Sequence, residues 1–183
     1  MNRVTWSRTP RALATASPGL PGSARRMLAR DDGLHAIDLG EGHVPGRGRP
    51  EAGFADEQLL LVVSHQGRGV VDTASGELVA RNRDEGGSWF DAVRRAAAGI
   101  GPLDGAWIGV CGLAGGRLPD ATADGWKAVA SGGCVTVSAP GRRPLRVNEC
   151  EEMRAFGFSP HGATFVIATS PGIAIYRRQD EGQ

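Results

Sequence analysis

The sequence predicts a mainly β protein made of antiparallel hairpins and meanders, and three observations predict it. Glycine (28 residues) and proline (11) are abundant while aromatic residues make up only 5%, a balance that favours many short elements joined by turns over long helices. Two stretches then read as one unit written twice: FADEQLLLVVSHQGRGVVDTASGE at residues 54–77 and FSPHGATFVIATSPGIAIYRR at residues 158–178. Each has a phenylalanine, a tight polar turn, an apolar run, a glycine-bearing turn and a second apolar run, the pattern of two paired strands. Finally, 183 residues that are 40% hydrophobic can build one core without disulfides or metal.

Taken in chain order, residues 1–30 are rich in Arg, Pro, Ser, Ala and Gly without periodicity and are expected to be a disordered basic tail. Translation is expected to begin at Met27, because strand-like sequence starts soon afterwards. Residues 34–39 (LHAIDL) alternate apolar and polar side chains as a half-buried strand does, and GEGHVPGRGRPEAG at 40–53 reads as a surface loop. Residues 59–63 form a continuous apolar run, hence a central strand. HQGRG turns the chain into Val70 and Val71, and 72–77 turns it again before 78–80.

One short helix is expected near 89–98: Ser88 can cap it, Asp91 follows three residues later, and Trp89, Phe90, Val93 and Ala97 share a face. Gly99 would stop it, with Pro102 just beyond. Strand sequence resumes at 107–111. A hairpin is expected from 126–130 and 134–138 across SGG, GRRP leads to Leu145 and Val147, and the last hairpin ends at Arg178. The expected organisation is therefore a single β-rich domain at 31–178, with a polar tail at 179–183.

Charge is informative once divided along the chain. Residues 1–30 carry six arginines and no acid, residues 31–58 carry seven acids and two arginines, and the remainder is balanced. A neutral body lacks the basic field that nucleic acid demands, so no nucleic-acid partner is expected. Lys127 is the only lysine among 21 basic residues, a skew explained by a GC-rich bacterial coding sequence. Cys111, Cys134 and Cys150 are odd in number, widely spaced and without CxxC. They match neither a disulfide framework nor a zinc site and are expected to be buried thiols in a reducing cytoplasm. ALATASPGLPGSA is broken by prolines and glycines where an export signal needs an apolar run, and no run approaches the roughly 18 apolar residues of a membrane span. A cytoplasmic protein without membrane contact is the expectation.

Residues 158–178 resemble the inner part of a WD-repeat propeller blade, whose usual wording is FSPDG, a strand, a DG turn and a strand ending in WD. Here FSPHG, TFVIATS, PG and IAIYR stand in those places, and FADEQ, LLLVVSHQG, RGVVD and TASGE are similar; Gly42 and His43 stand before Val71 and Asp72 like the family's GH and WD pairs. The resemblance implies that each phenylalanine starts a strand packed between sheets. Tyr176 and Arg177 depart from the pattern by replacing Trp and Asp. At about 40 residues per blade the chain holds roughly three, fewer than close a ring, so a partial propeller or sandwich is expected.

Motifs of chemistry are incomplete. Gly109, Gly112, Gly115 and Gly116 are spaced GxxGxxGG and precede RLPD rather than a helix, so a loop is expected and no dinucleotide site. Lys127 lacks the preceding glycine of a phosphate loop. Ser64 with His65 and Ser159 with His161 are not GxSxG, and neighbouring Ser and His in turns usually satisfy backbone groups. His35, His43, His65 and His161 show neither HxH nor HExxH; His43 with Glu41, or His35 with Asp31 and Asp32, read better as solvated side chains than as ligands. Arg142, Arg143 and Arg146 are expected to be neutralised by Glu149, Glu151 and Glu152, and Trp89, Trp107 and Trp126 to belong to the core.

No catalytic, cofactor-binding or metal residue is therefore assigned from sequence, and no cofactor is expected. The expected function is a non-catalytic β domain that binds a protein partner or a second copy of itself through turns or an exposed sheet edge. With a toxin as partner it would be an immunity protein. The alternative is a hydrolase whose site is assembled from His43, His65, Asp72 and His161.

Overall fold

Apolar runs of five or six residues bounded by Gly, Asp and Ser are too short for stable helices and pair as strands. The computed structural model describes residues 4–8, 51–64, 67–83, 88–113, 115–147, 152–170 and 172–180. Among them, β1 is Val4–Arg8. Sheet I holds β2 (Glu51–Phe54), β3 (Leu59–Ser64), β4 (Gly67–Asp72) and β5 (Leu78–Asn82) in that order. Sheet II holds β6 (Phe90–Asp91), β7 (Ala96–Ala98) and β8 (Trp107–Gly109), while sheet III holds β9 (Lys127–Ser131), β10 (Cys134–Ser138) and β11 (Leu145–Val147). Sheet IV orders β1, β14 (Gly172–Asp180), β13 (Thr164–Thr169) and β12 (Met153–Phe158). Every pairing is antiparallel, so the chain is mainly β with four antiparallel sheets, as its composition predicts.

The sheets stack in the spatial order II, I, IV, III, and the alternation of side chains along the strands shows why. In β3, Leu60 faces sheet IV while Leu61 and Val63 face sheet II; in β4, Val71 and Val70 divide the same way. In β13, Val166 and Ala168 face sheet I while Phe165 and Ile167 face sheet III. A strand covered on both faces is apolar along its length, which is why LLLVV and the FVIA of TFVIAT read as unbroken runs. Sheet III is covered on one face only, the face on which Ala128, Val135, Val137 and Val147 pack against sheet IV, and its sequence alternates. Among the described residues no core cluster joins sheet II to sheet III, so the stack is open rather than ring-closed.

Three expectations need correction. The segment expected to be a helix near 89–98 is a hairpin, β6 and β7, with Phe90 opposite Ala97 and Asp91 opposite Ala96. The Asp91 carboxylate accepts the Val93 and Arg94 N–H groups, both at 2.9 Å, and Arg95 takes a left-handed φ of 52°, which reverses the chain. Val93, expected on the buried helix face, is 95% exposed. The sole helical element among the described residues is instead a 3-10 turn at Gly101–Leu103.

Secondly, Phe54 and Phe158 end strands β2 and β12 rather than start the strands that follow, so the loop expected at 40–53 gives way to strand at Glu51. Thirdly, Val4–Arg8 is no disordered tail: it pairs with β14 over five positions, from Val4 opposite Asp180 to Arg8 opposite Tyr176. The C-terminal strand likewise runs past Arg178 to Asp180. The strand expected at 34–39 lies outside the described residues. No helix among the described residues is long and apolar enough to cross a membrane.

Candidate functional site

The two phenylalanine-led turns meet at one end of sheets I and IV. In the first, the Asp56 carboxylate accepts the N–H groups of Gln58 and Leu59, each at 2.8 Å, and so fixes the turn locally. That turn aims the neighbouring Glu57 at the second one. One oxygen of Glu57 accepts the Ser159 hydroxyl and the Ala163 N–H (2.8 Å), and the other accepts the His161 N–H (2.9 Å). On the other side, Thr73 donates its hydroxyl to the Glu57 carbonyl at 3.0 Å and its N–H to the Gln58 carbonyl at 2.7 Å.

Of the four residues weighed for a hydrolase, His43 and His65 lie outside the described residues. Asp72 and His161 come to the same end of the molecule, linked through Thr73 and Glu57, but each serves a turn. Asp72 accepts the Ala74 and Ser75 N–H groups at 2.7 and 2.9 Å, and the His161 side chain is exposed. Ser159 is buried and accepts the Thr164 N–H at 2.9 Å. Burial would raise the Glu57 carboxyl, yet the hydrogen bonds from Ser159, His161 and Ala163, with the nearby His161 side chain, outweigh it and hold it below its usual 4.5. A carboxylate so stabilised is a weak base, so Glu57 and Ser159 form a latch between sheets rather than an activated nucleophile. Glu57, absent from the sequence reading, betrays itself there only as a carboxylate in a turn.

The other constellations resolve into packing. Cys111 donates its thiol to the Ala52 carbonyl at 3.2 Å, and burial pushes it up to about 11. Cys134 accepts a hydrogen bond from Arg146 at 3.2 Å, and Cys150 lies outside the described residues. Arg142 and Arg178 each stand 5.7 Å from the Trp126 ring centroid. Glu152, expected to neutralise the Arg142 cluster, pairs instead with Arg154 at 3.0 Å. Trp126 is core and Trp89 is half-buried under Arg68, but Trp107 is 48% exposed on the outer face of sheet II. Gly112 and Gly115 exchange two backbone hydrogen bonds in a tight turn, a loop as expected. Among the described residues no three potential ligands gather to hold a metal.

Among the described residues the surface offers a more open depression of about 580 Å³ lined by Arg81, Asn82, Ile100 and Asp104 and a groove of about 360 Å³ between two strand edges. β9 is the border strand of sheet III and β12 that of sheet IV. Val129, Ala130, Met153 and Phe156 line the groove, and Val129 is 59% exposed. Its end is closed by the segment that connects sheets II and III. There the Pro119 carbonyl accepts the Phe158 N–H at 2.8 Å and the Asp120 carbonyl accepts the Ala128 N–H at 2.8 Å. Gly157 permits this passage, because a Cβ at that position would run into Leu118. Comparison with family models, curated proteins and solved structures finds no match for this chain.

Proposed function

We propose that this protein is a non-catalytic β domain that binds another protein, with the groove between β9 and β12 as the contact. The observation that carries this reading is the pair of strand edges that flank one groove and, among the described residues, have no strand neighbour of their own beyond Ala128 and Phe158. Open edges with exposed apolar side chains are places where another chain adds, and proteins that do not use them blunt them with charge or proline. β9 carries neither between Ala128 and Ser131, while Lys127 begins it and Arg154 stands on β12. Of the groups weighed for a hydrolase, Asp72 is engaged in its own turn and Ser159 in the latch to Glu57.

The test is affinity capture from the source cells with the wild-type chain and with Val129→Glu, a change at an exposed position that leaves the core intact. A partner identified by mass spectrometry, then purified and titrated, is expected to bind the wild type and to lose at least about tenfold in affinity for the variant, roughly 1.4 kcal/mol. Equal binding by the two proteins overturns the reading. A toxin is one partner it accommodates, and inhibition of a co-purified enzyme by this chain would make it an immunity protein.

A further inference from the structure

We infer, resting on the protein-binding reading, that the partner is acidic: it sets carboxylates against the uncovered face of sheet III while an apolar side chain meets Val129 at the groove. Residues 125–148 hold one lysine, three arginines and no acid, and this one stretch supplies all three strands of sheet III. The sheet therefore gathers cations that lie up to nineteen positions apart, from Lys127 to Arg146, onto a single element.

Alternation decides which side chains look outward. Ala128, Val135, Val137 and Val147 turn toward sheet IV, so Lys127, Val129, Ser131, Thr136, Ser138 and Arg146 turn away from it. Sheet III ends the stack, and among the described residues no core cluster covers that outer face. Ser138 stands opposite Lys127 and leads directly into the turn that carries Arg142 and Arg143, so Lys127 and Arg143 share one end of the sheet. Val129 belongs to this face and to the groove alike, which makes the two surfaces continuous along β9.

The described carboxylates nearest in the chain are engaged elsewhere. Asp124 pairs with Arg178, Asp120 stands 3.8 Å from Arg117, and Glu152 pairs with Arg154 at 3.0 Å. Arg142 stands over the Trp126 ring and Arg146 donates to the Cys134 sulfur, whereas Lys127 and Arg143 are exposed and make no ion pair among the described residues. Such a face attracts carboxylates and repels cationic partners. An acidic protein suits it better than nucleic acid, because none of the outward side chains is aromatic, so bases have nothing to stack on, and the whole chain carries a net charge of only +1. Carboxylates supply the counter-charge and Val129 the apolar anchor, the arrangement of an apolar contact beside a polar rim.

A displayed library of random peptides, panned on the full chain at low salt, tests this. The expected result is enrichment of Asp and Glu beside apolar residues. Synthetic versions are expected to lose about tenfold in affinity when their acids become Asn and Gln, and about tenfold against the double variant Lys127→Glu, Arg143→Glu. Affinity should also fall as salt rises, since the screening length shrinks from about 30 Å at 0.01 M to about 3 Å at 1 M. Both positions are exposed, so the melting temperature should stay unchanged, and Lys127→Gln with Arg143→Gln should weaken binding in the same direction by less. Binding that is lost in Val129→Glu but unchanged in the double variant, the result of a face already neutralised by Glu149 and Glu151, overturns the acidic partner and leaves the protein-binding reading standing. Enrichment of basic or uncharged sequences, absence of any enriched sequence, or tighter binding of a labelled single-stranded DNA than of any peptide at the same salt overturns the inference.

Discussion

Glu57 and Ser159 lie 102 residues apart in the chain, and the hydroxyl of one donates to the carboxylate of the other, latching the β2–β3 turn of sheet I to the β12–β13 turn of sheet IV. Glu57→Ala leaves the Ser159 hydroxyl and the His161 and Ala163 N–H groups without this acceptor. It is expected to cost about 1–2 kcal/mol, because two of these hydrogen bonds are partly buried and one is exposed, read as a lower urea midpoint with unchanged slope. No loss of stability would dismiss the latch.

The same carboxylate sets a pH dependence. Its folded pKa lies below the usual 4.5, so its contribution is present above that value and disappears as pH falls through the lower folded one. Asp124 and Glu152 are also held below their usual values and add to acid sensitivity in the same direction. The difference between wild type and Glu57→Gln isolates Glu57: the stability gap should be constant near neutrality and narrow below about pH 4.5. A gap that widens on acidification would reverse the assigned sign.

Gly157→Ala places a methyl group against Leu118 at the closed end of the groove. Overpacking of this kind costs about 1–3 kcal/mol, so thermal melting should fall by several degrees. Gly172→Ala, where a Cβ would meet nothing within 4 Å, is the control and should fall much less. Equal effects would remove close approach as the reason for glycine at 157.

Thiol labelling separates the two described cysteines. Cys111, buried with its thiol pushed up to about 11, should resist maleimide at neutral pH until the protein unfolds, while Cys134, partly exposed beside Arg146, should react. Peptide mapping by mass spectrometry reads each site. Rapid modification of Cys111 in the folded protein would contradict its burial.

Starting the chain at Met27 removes β1 and uncovers the outer edge of β14. Amide hydrogen exchange across 176–180 is expected to speed up relative to the full chain, with increased self-association through the freed edge. Unchanged protection would show that β1 contributes nothing to sheet IV.

Much of the local structure was legible in the sequence. The hairpin across Gly132 and Gly133 and the pairing of 59–63 with 70–71 were readable because glycine and aspartate in tight turns carry their own instruction within a few residues. The segment 88–99 was misread because Ser88, Asp91 and the apolar spacing suit a helix equally well. Ten residues of ordinary propensity cannot hold a helix alone, and Asp91 capping its own turn together with Ala97 and Ile108 facing sheet I tips the balance to a hairpin.

By itself the sequence determined that 59–63 pairs with 70–71, 126–130 with 134–138 and 164–169 with 173–177, and that LLLVV is a central strand, since periodicity and turn chemistry act over a few residues. Only the tertiary structure decided that sheet IV sits between I and III, that Val4–Arg8 borders β14, that Glu57 reaches Ser159, and that β9 and β12 flank a groove. Those relationships join residues tens to more than a hundred positions apart, where no periodicity links them, and their energy comes from buried area and shared hydrogen bonds that exist only once the sheets have stacked.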